Sequence, residues 1–347
     1  MWKYVLKRIG LAIVTAFIIL SVTFLLMKTL PFQMPIGTNN EKFSYFQNQV
    51  FLGYVYDYAR ANDAAGKLLW SYQDGANQWH YYYEVPAFTQ YFKWLGNIIT
   101  RWDWGTSRVI SPNLSAIVII GKRLPVSMLL NIISTLISVP LGIILGIIAA
   151  LKKNKKTDHV ISTLVMVLIS IPSFILITFL LFLLCYKTGW LPSKWPSSLA
   201  PMKTRILAFI IPVASLSLGS IAGYCRFTRA ELCEVMESDY LLLARTKGLT
   251  KRQAIIRHAL RNAMVPIVPS ILAEFLSIMG GSMILENLYG IPGIGSLFIE
   301  AINISKPDYN VLFVDMAVFT TFGLLAGVLL DISYGFIDPR IRMGAKK

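Results

Sequence analysis

Two carboxylates lie where carboxylates are costly. Glu274 and Asp315 fall within or near long apolar runs, and an ionisable side chain in a membrane helix is a functional candidate because its charge must be offset there. Asp315 is only a few residues into its run, so a hydrated place near the interface accounts for it. Glu274 lies further in and is the candidate lining of a polar pathway; in a self-contained secondary carrier it would be the ion or proton site. Other reactive side chains form no constellation. Cys185, Cys225 and Cys233 lie in or beside apolar segments and give neither a disulfide framework nor a C-x-x-C pair, so they read as packed thiols. His80, His159 and His258 stand in three different parts of the chain and make no H-E-x-x-H and no triad. A membrane-embedded enzyme would need such a nucleophile or metal set, so we expect no catalytic residue and no metal site. A G-x-x-x-x-G-K-[ST] run is missing too, so the chain cannot cradle nucleotide phosphates by a P-loop. We therefore expect no cofactor on this chain, and any nucleotide energy must come from another polypeptide.

The elements that hold these residues are apolar helices. Hydrophobic residues make up 55% of the 347 positions and charged residues only 15%, against about a quarter charged in soluble domains. A spanning helix needs about 20 mostly apolar residues, and six runs qualify: 9–30, 126–151, 160–186, 206–225, 264–286 and 311–337. In lipid each must satisfy its backbone internally, hence as helix. The first follows Lys3, Lys7 and Arg8 and lacks a small-x-small cleavage site before Pro31, so it reads as an uncleaved span. The net charge of +15 comes from basic residues clustered beside apolar runs, which is orientation charge facing membrane lipid rather than a nucleic-acid patch. The run Lys152–Lys156, the basic residues of 226–262 and the tail from Arg340 to Lys347 fall on one side, which predicts cytoplasmic termini; Lys122 and Arg123 fall on the other. The segment 31–125 is then exterior. It is rich in aromatics, including Tyr54, Trp70 and Tyr81 to Tyr83. They either pack together in a small cap or at headgroup level, or they present a docking surface.

Within the spans, Gly142-x-x-x-Gly146, Gly219-x-x-x-Gly223 and Gly323-x-x-x-Gly327 predict close helix approach, within the chain rather than between copies. Pro140, Pro172 and Pro212 predict kinks. Residues 226–262 are too polar to span. Asp239 is placed to cap a short helix over 240–247 that Gly248 ends in the left-handed conformation, and Thr250-Lys-Arg-Gln253 is a capping box for a second helix running to about Asn262. Arg245, Lys247, Lys251 and Arg252 surround this turn with positive charge, suited either to lipid headgroups or to a groove on another protein.

Ala244-Arg-Thr-Lys-Gly248-Leu249, followed by His258-Ala-Leu-Arg-Asn-Ala263, resembles the EAA-type coupling loop of permeases in binding-protein-dependent ABC importers, in the B-type dipeptide, oligopeptide and nickel branch. Tyr4-Val-Leu-Lys-Arg8, Arg123-Leu-Pro125, Ser170-Ile-Pro-Ser-Phe174, Gly189-Trp-Leu-Pro192, Glu286-Asn-Leu-Tyr-Gly-Ile-Pro292-Gly293-Ile-Gly295 and Asp338-Pro-Arg-Ile-Arg342 agree in order and spacing. The likeness departs at Glu-Ala-Ala, where only Ala244 and Gly248 match, and at the long aromatic segment 32–90. It implies an all-α polytopic protein of the type I ABC importer permease fold, in a bacterial or archaeal cell membrane. The parts would be the first helix (1–30), the exterior segment (31–125) and the permease core (126–347), which carries the coupling loop 226–262. The partners implied are a second homologous permease, two ATPase subunits that hold ATP and Mg, and an extracellular solute-binding protein. By this carry-over Asp239, Ala244, Arg245, Lys247, Gly248 and Leu249 serve ATPase coupling, and Glu286, Pro292, Gly293 and Gly295 form a turn at the exterior end of the fifth span. The cargo would be di- or oligopeptide; nickel or another small solute is the alternative within the family.

Overall fold

The computed structural model describes residues 2–61, 66–277 and 282–337. The closing Asp338–Arg342 motif and the basic tail to Lys347 lie outside the described residues. Among the described residues five helices are long and apolar enough to cross a membrane, or six if one sharply bent pair counts as a single span. The chain divides into two compact units, one built on Pro125–Ser296 with the N-terminal residues to Arg8 and the chain from Phe322, the other on Ile9–Leu124 and Leu297–Thr321.

In the first unit, α4 (Ala116–Leu151, counting its start in the second unit) carries Pro125 and Pro140 inside the helix. The predicted third span is two helices, α5 (Lys156–Ser170) and α6 (Ser173–Leu181), the latter continued by a π-helical turn over Phe182–Lys187. The pair bends by 97°. The cause is local: Ile171, which precedes Pro172, is forced into extended backbone (φ −93°, ψ 118°). After the short α7 (Met202–Leu207), α8 (Ile210–Met236) runs through the middle of this unit, and buried Ala222, Cys225, Thr228 and Leu232 keep its inward face closed.

Helix α8 is 11 residues longer at its C-terminal end than the span expected to stop at 225. Arg229 explains the error. Its guanidinium holds buried Asp158 of α5 bidentately, Nε to Oδ1 at 2.6 Å and Nη2 to Oδ2 at 2.8 Å, so a charge that reads as loop is neutralised on a helix. The Gly142/Gly146 face of α4 packs on α8. An added Cβ would lie 2.5 Å from Tyr224 Cβ at the first and 2.6 Å from Thr228 Cβ at the second. The other two glycine pairs meet nothing within 4 Å.

The second unit contains α1 (Trp2–Lys28) from Ile9 onward, then α2 (Asn39–Phe51), strands β1 (Val55–Tyr58), β2 (Leu68–Gln73) and β3 (Trp79–Glu84), and α3 (Ala87–Arg101). The strands form an antiparallel sheet in the order β1-β3-β2, which corrects the all-α expectation for the segment 31–125. Its aromatics pack together: Phe46 stacks on Trp70 and Tyr82 at centroid distances of 5.1 and 4.7 Å. Burial pushes the Tyr82 phenol up, although its oxygen accepts from Gln47 Nε2 at 2.9 Å.

The expected hydrated place for Asp315 is also corrected, because the side chain is buried within this unit. Asp308, ahead of α14 (Tyr309–Ile337), accepts from Ser107 Oγ at 2.6 Å and from three successive backbone N–H groups of Arg108, Val109 and Ile110. Arg123 pairs with Glu300 at 3.0 Å.

Candidate functional site

The basic loop forms the expected helix–turn–helix with altered edges. Helix α9 (Asp239–Thr246) starts at Ser238, whose extended backbone (φ −75°, ψ 146°) makes it the N-cap residue; Asp239 is not the cap but stands in the first turn, where its charge faces the positive helix end. Gly248 adopts φ +94°, its N–H donating to the Arg245 carbonyl at 3.0 Å. A side chain here would meet no neighbour within 4 Å, so the backbone angle alone calls for glycine.

Thr250 then opens α10 (Lys251–Ala254) with a complete capping box. Gln253 N–H donates to Thr250 Oγ1 at 3.3 Å and Thr250 N–H donates to Gln253 Oε1 at 3.1 Å. The second arm does not stop near Asn262. It continues through a π-helical turn (Ile255–Ala259) into α11 (Leu260–Ser277), which carries Pro266 and Pro269 inside it. The turn is therefore joined rigidly to a spanning helix.

One side of this segment is rooted. Leu241, Ala254, Ala259 and Ala263 are buried with Ala150, Leu232 and Cys233, and Leu249 packs against that cluster. Lys153 pairs with Glu237 just ahead of α9, and the Glu237 carboxylate raises the lysine pKa. The other side is bare: Arg245, Lys247 and Gly248 are exposed, and Leu242 and Leu243 are 61% and 56% exposed. Of the six nominated coupling residues, Leu249 thus faces inward and Ala244 is half-buried. In the sequence the exposed leucine pair looks like part of an ordinary apolar helix face.

Of the second nominated set, Glu286, Gly293 and Gly295 come together. Helix α12 (Met283–Tyr289) ends on Gly290 at φ +70°. Buried Glu286 accepts from Ser127 Oγ at 2.7 Å, Ser282 N–H at 3.2 Å and Ser296 N–H at 3.0 Å. Ser127 Oγ in turn accepts from Ile294 N–H at 2.9 Å. A Cβ at Gly293 would run into the Glu286 carboxylate and the Ser127 hydroxyl, and one at Gly295 would lie 2.7 Å from Met283 N. Pro192 of the Gly189–Pro192 motif accepts from the Tyr289 hydroxyl at 2.8 Å. Ser127 was the member not foreseen; it lies two residues beyond the Arg123-Leu-Pro125 motif.

Between these two regions along the chain, Glu274 of α11 lines a recess of about 470 Å³ together with Asn131, Ser134, Thr135 and Ser220. Ser134 and Ser217 share a hydroxyl–hydroxyl hydrogen bond at 3.0 Å. Tyr224, next to Glu274, donates to the Ser270 carbonyl at 3.2 Å. Among the described residues no group of three His, Cys, Asp or Glu side chains is placed to hold a metal ion.

Residues 142–343 match the family model of the binding-protein-dependent transport system inner membrane component. The chain is 31% identical over 350 residues to the dipeptide transport system permease protein DppB of Bacillus subtilis, with all of both chains aligned. It is 30% identical over 344 residues to the oligopeptide transport system permease protein OppB of Haemophilus influenzae and 31% identical over 344 residues to OppB of Escherichia coli K12, each alignment covering 99% of this chain and 100% of the relative.

Proposed function

Because the chain belongs to the family of binding-protein-dependent transport system inner membrane components, we propose that it is the permease subunit of an ATP-driven importer that moves di- or oligopeptides across the plasma membrane. It is a multi-pass protein of that membrane, and its relatives named for peptide transport match along its full length. That full-length likeness is the observation that carries the peptide assignment.

In this reading both termini are cytoplasmic and the chain is coupled to two ATPase subunits through 239–262. These subunits carry ATP and Mg; this chain holds no nucleotide. Arg245, Lys247 and the exposed leucines would enter an ATPase cleft, and the rooted side would pass the movement directly into α11 and the Glu274 recess. The support is physical. Exposed apolar side chains ringed by cations on a fixed turn suit a protein partner. A ligand biases a conformational equilibrium only through differential contacts, so nucleotide must act through such a joint. A second homologous permease supplies the facing half of the pathway, and an exterior solute-binding protein delivers peptide to it.

The test is gentle purification of the intact complex, mass identification of its subunits, and uptake of labelled di- and tetrapeptides into proteoliposomes with and without ATP. We expect ATPases to co-purify and uptake to require ATP. Uptake without nucleotide would instead indicate a secondary carrier, and uptake of nickel but not peptide would indicate the other branch of the family.

A further inference from the structure

We propose that the second unit holds a binding site for a phosphate oxyanion, supplied by the phosphodiester of a membrane phospholipid. The site is a cavity of about 90 Å³ lined by Lys28, Glu84, Trp94, Trp104, Thr106 and Arg108 among others. Four of these residues carry a buried polar atom with no hydrogen-bonding partner: Nε1 of Trp94, Nε1 of Trp104, Oγ1 of Thr106 and Nε of Arg108. Three are obligate N–H donors and the hydroxyl is free to donate. A buried donor left unpaired costs about 1–3 kcal/mol, and folded proteins keep few of them. All four residues line one cavity, and an acceptor from outside the chain would relieve this cost.

Charge selects which acceptor. The Lys28 ammonium lies over the Phe24 and Tyr54 rings at 5.3 and 5.8 Å, and the Arg108 guanidinium over Phe32 and Tyr45 at 5.0 and 5.6 Å. Both cations are thus held by aromatic faces, and the Arg108 guanidinium also hydrogen-bonds the Tyr45 side chain while its Nε stays unpaired. Glu84 on the same wall and Asp308, which accepts from the Arg108 backbone N–H, offset these cations, so a singly charged phosphodiester suits the site better than the more highly charged free phosphate.

Position selects the source. Lys28 ends the apolar run Val5–Lys28, so it stands where a spanning helix reaches the headgroups, the level at which long cationic side chains and aromatics collect. The cavity admits a phosphate group. This site is independent of the transport assignment.

The test uses the purified, delipidated full complex, with native mass spectrometry counting what this chain retains. The probes are short-chain phosphatidylglycerol, the matching phosphate-free diacylglycerol, inorganic phosphate and an acetylated dipeptide carboxylate. We expect one phosphatidylglycerol per chain, no specific diacylglycerol, and binding weakened about tenfold or more in Arg108→Gln and several-fold in Trp104→Phe. The latter keeps the ring and removes only its N–H donor, so it carries the test if Arg108→Gln fails to fold. Inorganic phosphate that is retained alone and displaces the lipid upholds the site while making free phosphate the ligand. Diacylglycerol bound as tightly as phosphatidylglycerol, displacement by the carboxylate but not by phosphate, or unchanged binding in both variants would overturn the proposal.

Discussion

The Gly248 turn and the Glu286 turn are both glycine-bearing corners at the ends of helices in the same unit, and they dispose of their polar groups in opposite ways. Around Glu286 every named donor finds an acceptor within the chain, and two glycines are excluded from carrying a side chain by the atoms they touch. Around Gly248 the backbone and the Thr250 capping box are satisfied internally, but Arg245, Lys247, Leu242 and Leu243 face outward, and the glycine has free space around it. A corner that closes on itself fixes shape. A corner with a tight backbone and a bare, mixed apolar and cationic surface presents shape to something else. Glycine thus serves packing at Gly293 and chain direction at Gly248, a difference invisible in the motif.

The sharpest way to break this comparison is at Glu286. Glu286→Ala strands the Ser127 hydroxyl and two backbone N–H groups in a buried place, and each buried donor left unpaired costs about 1–3 kcal/mol. We expect a large fall in the detergent unfolding midpoint and in the yield of inserted protein, with Glu286→Gln partly retaining both. A midpoint unchanged in the alanine variant would mean the corner is not the clamp described.

The reverse pattern is expected at Gly248. Gly248→Asp places an L residue at φ +94°, at a strain of about 1–2 kcal/mol, and adds an anion to a cationic surface. The chain should insert with a nearly normal midpoint, while ATP-driven uptake falls about tenfold or more and ATPase subunits are lost on purification. Gly248→Asn, which tolerates this backbone region better, should recover part of the uptake. Normal co-purification and uptake in Gly248→Asp would remove the coupling role.

Thr250→Ala sharpens the comparison at the level of helix ends. It deletes one half of the capping box and should lower stability by only about 1 kcal/mol. Hydrogen exchange should quicken in 250–254 and stay unchanged at 283–289.

What was legible in the sequence follows the range of each interaction. The capping box at Thr250, the left-handed Gly248 and the break at Pro172 depend on residues within a few positions of one another, and all are found. The convergence of Glu286, Gly293 and Gly295 followed from a motif, but the reason for it includes Ser127, 159 positions away. Long-range partners also explain the misjudged edges. Arg229 belongs to a helix because Asp158 neutralises it, and the central strand β3 is hard to read because Tyr81, Tyr82 and Tyr83 stand on successive positions instead of alternating with polar residues. Ser238 displaced Asp239 as the capping residue by one position, within the usual uncertainty of helix ends.

The smallest expected effect lies at Glu274, on the helix that joins the two corners along the chain. If the coupling turn receives the force and the Glu286 turn holds the far end in shape, α11 acts as a mechanical link and its carboxylate lines the recess without turning over a proton. Glu274→Gln keeps the size and most of the hydrogen-bonding capacity of the side chain while removing its charge. ATP-driven peptide uptake should then change by less than about threefold, roughly 0.6 kcal/mol, and should keep its dependence on external pH. A carrier that moved an ion through this carboxylate would lose transport altogether and would lose its pH response with it. Abolished uptake in the glutamine variant, with ATPase subunits still bound, would make Glu274 a working part of the pathway and end the contrast between one region that moves and one that only holds.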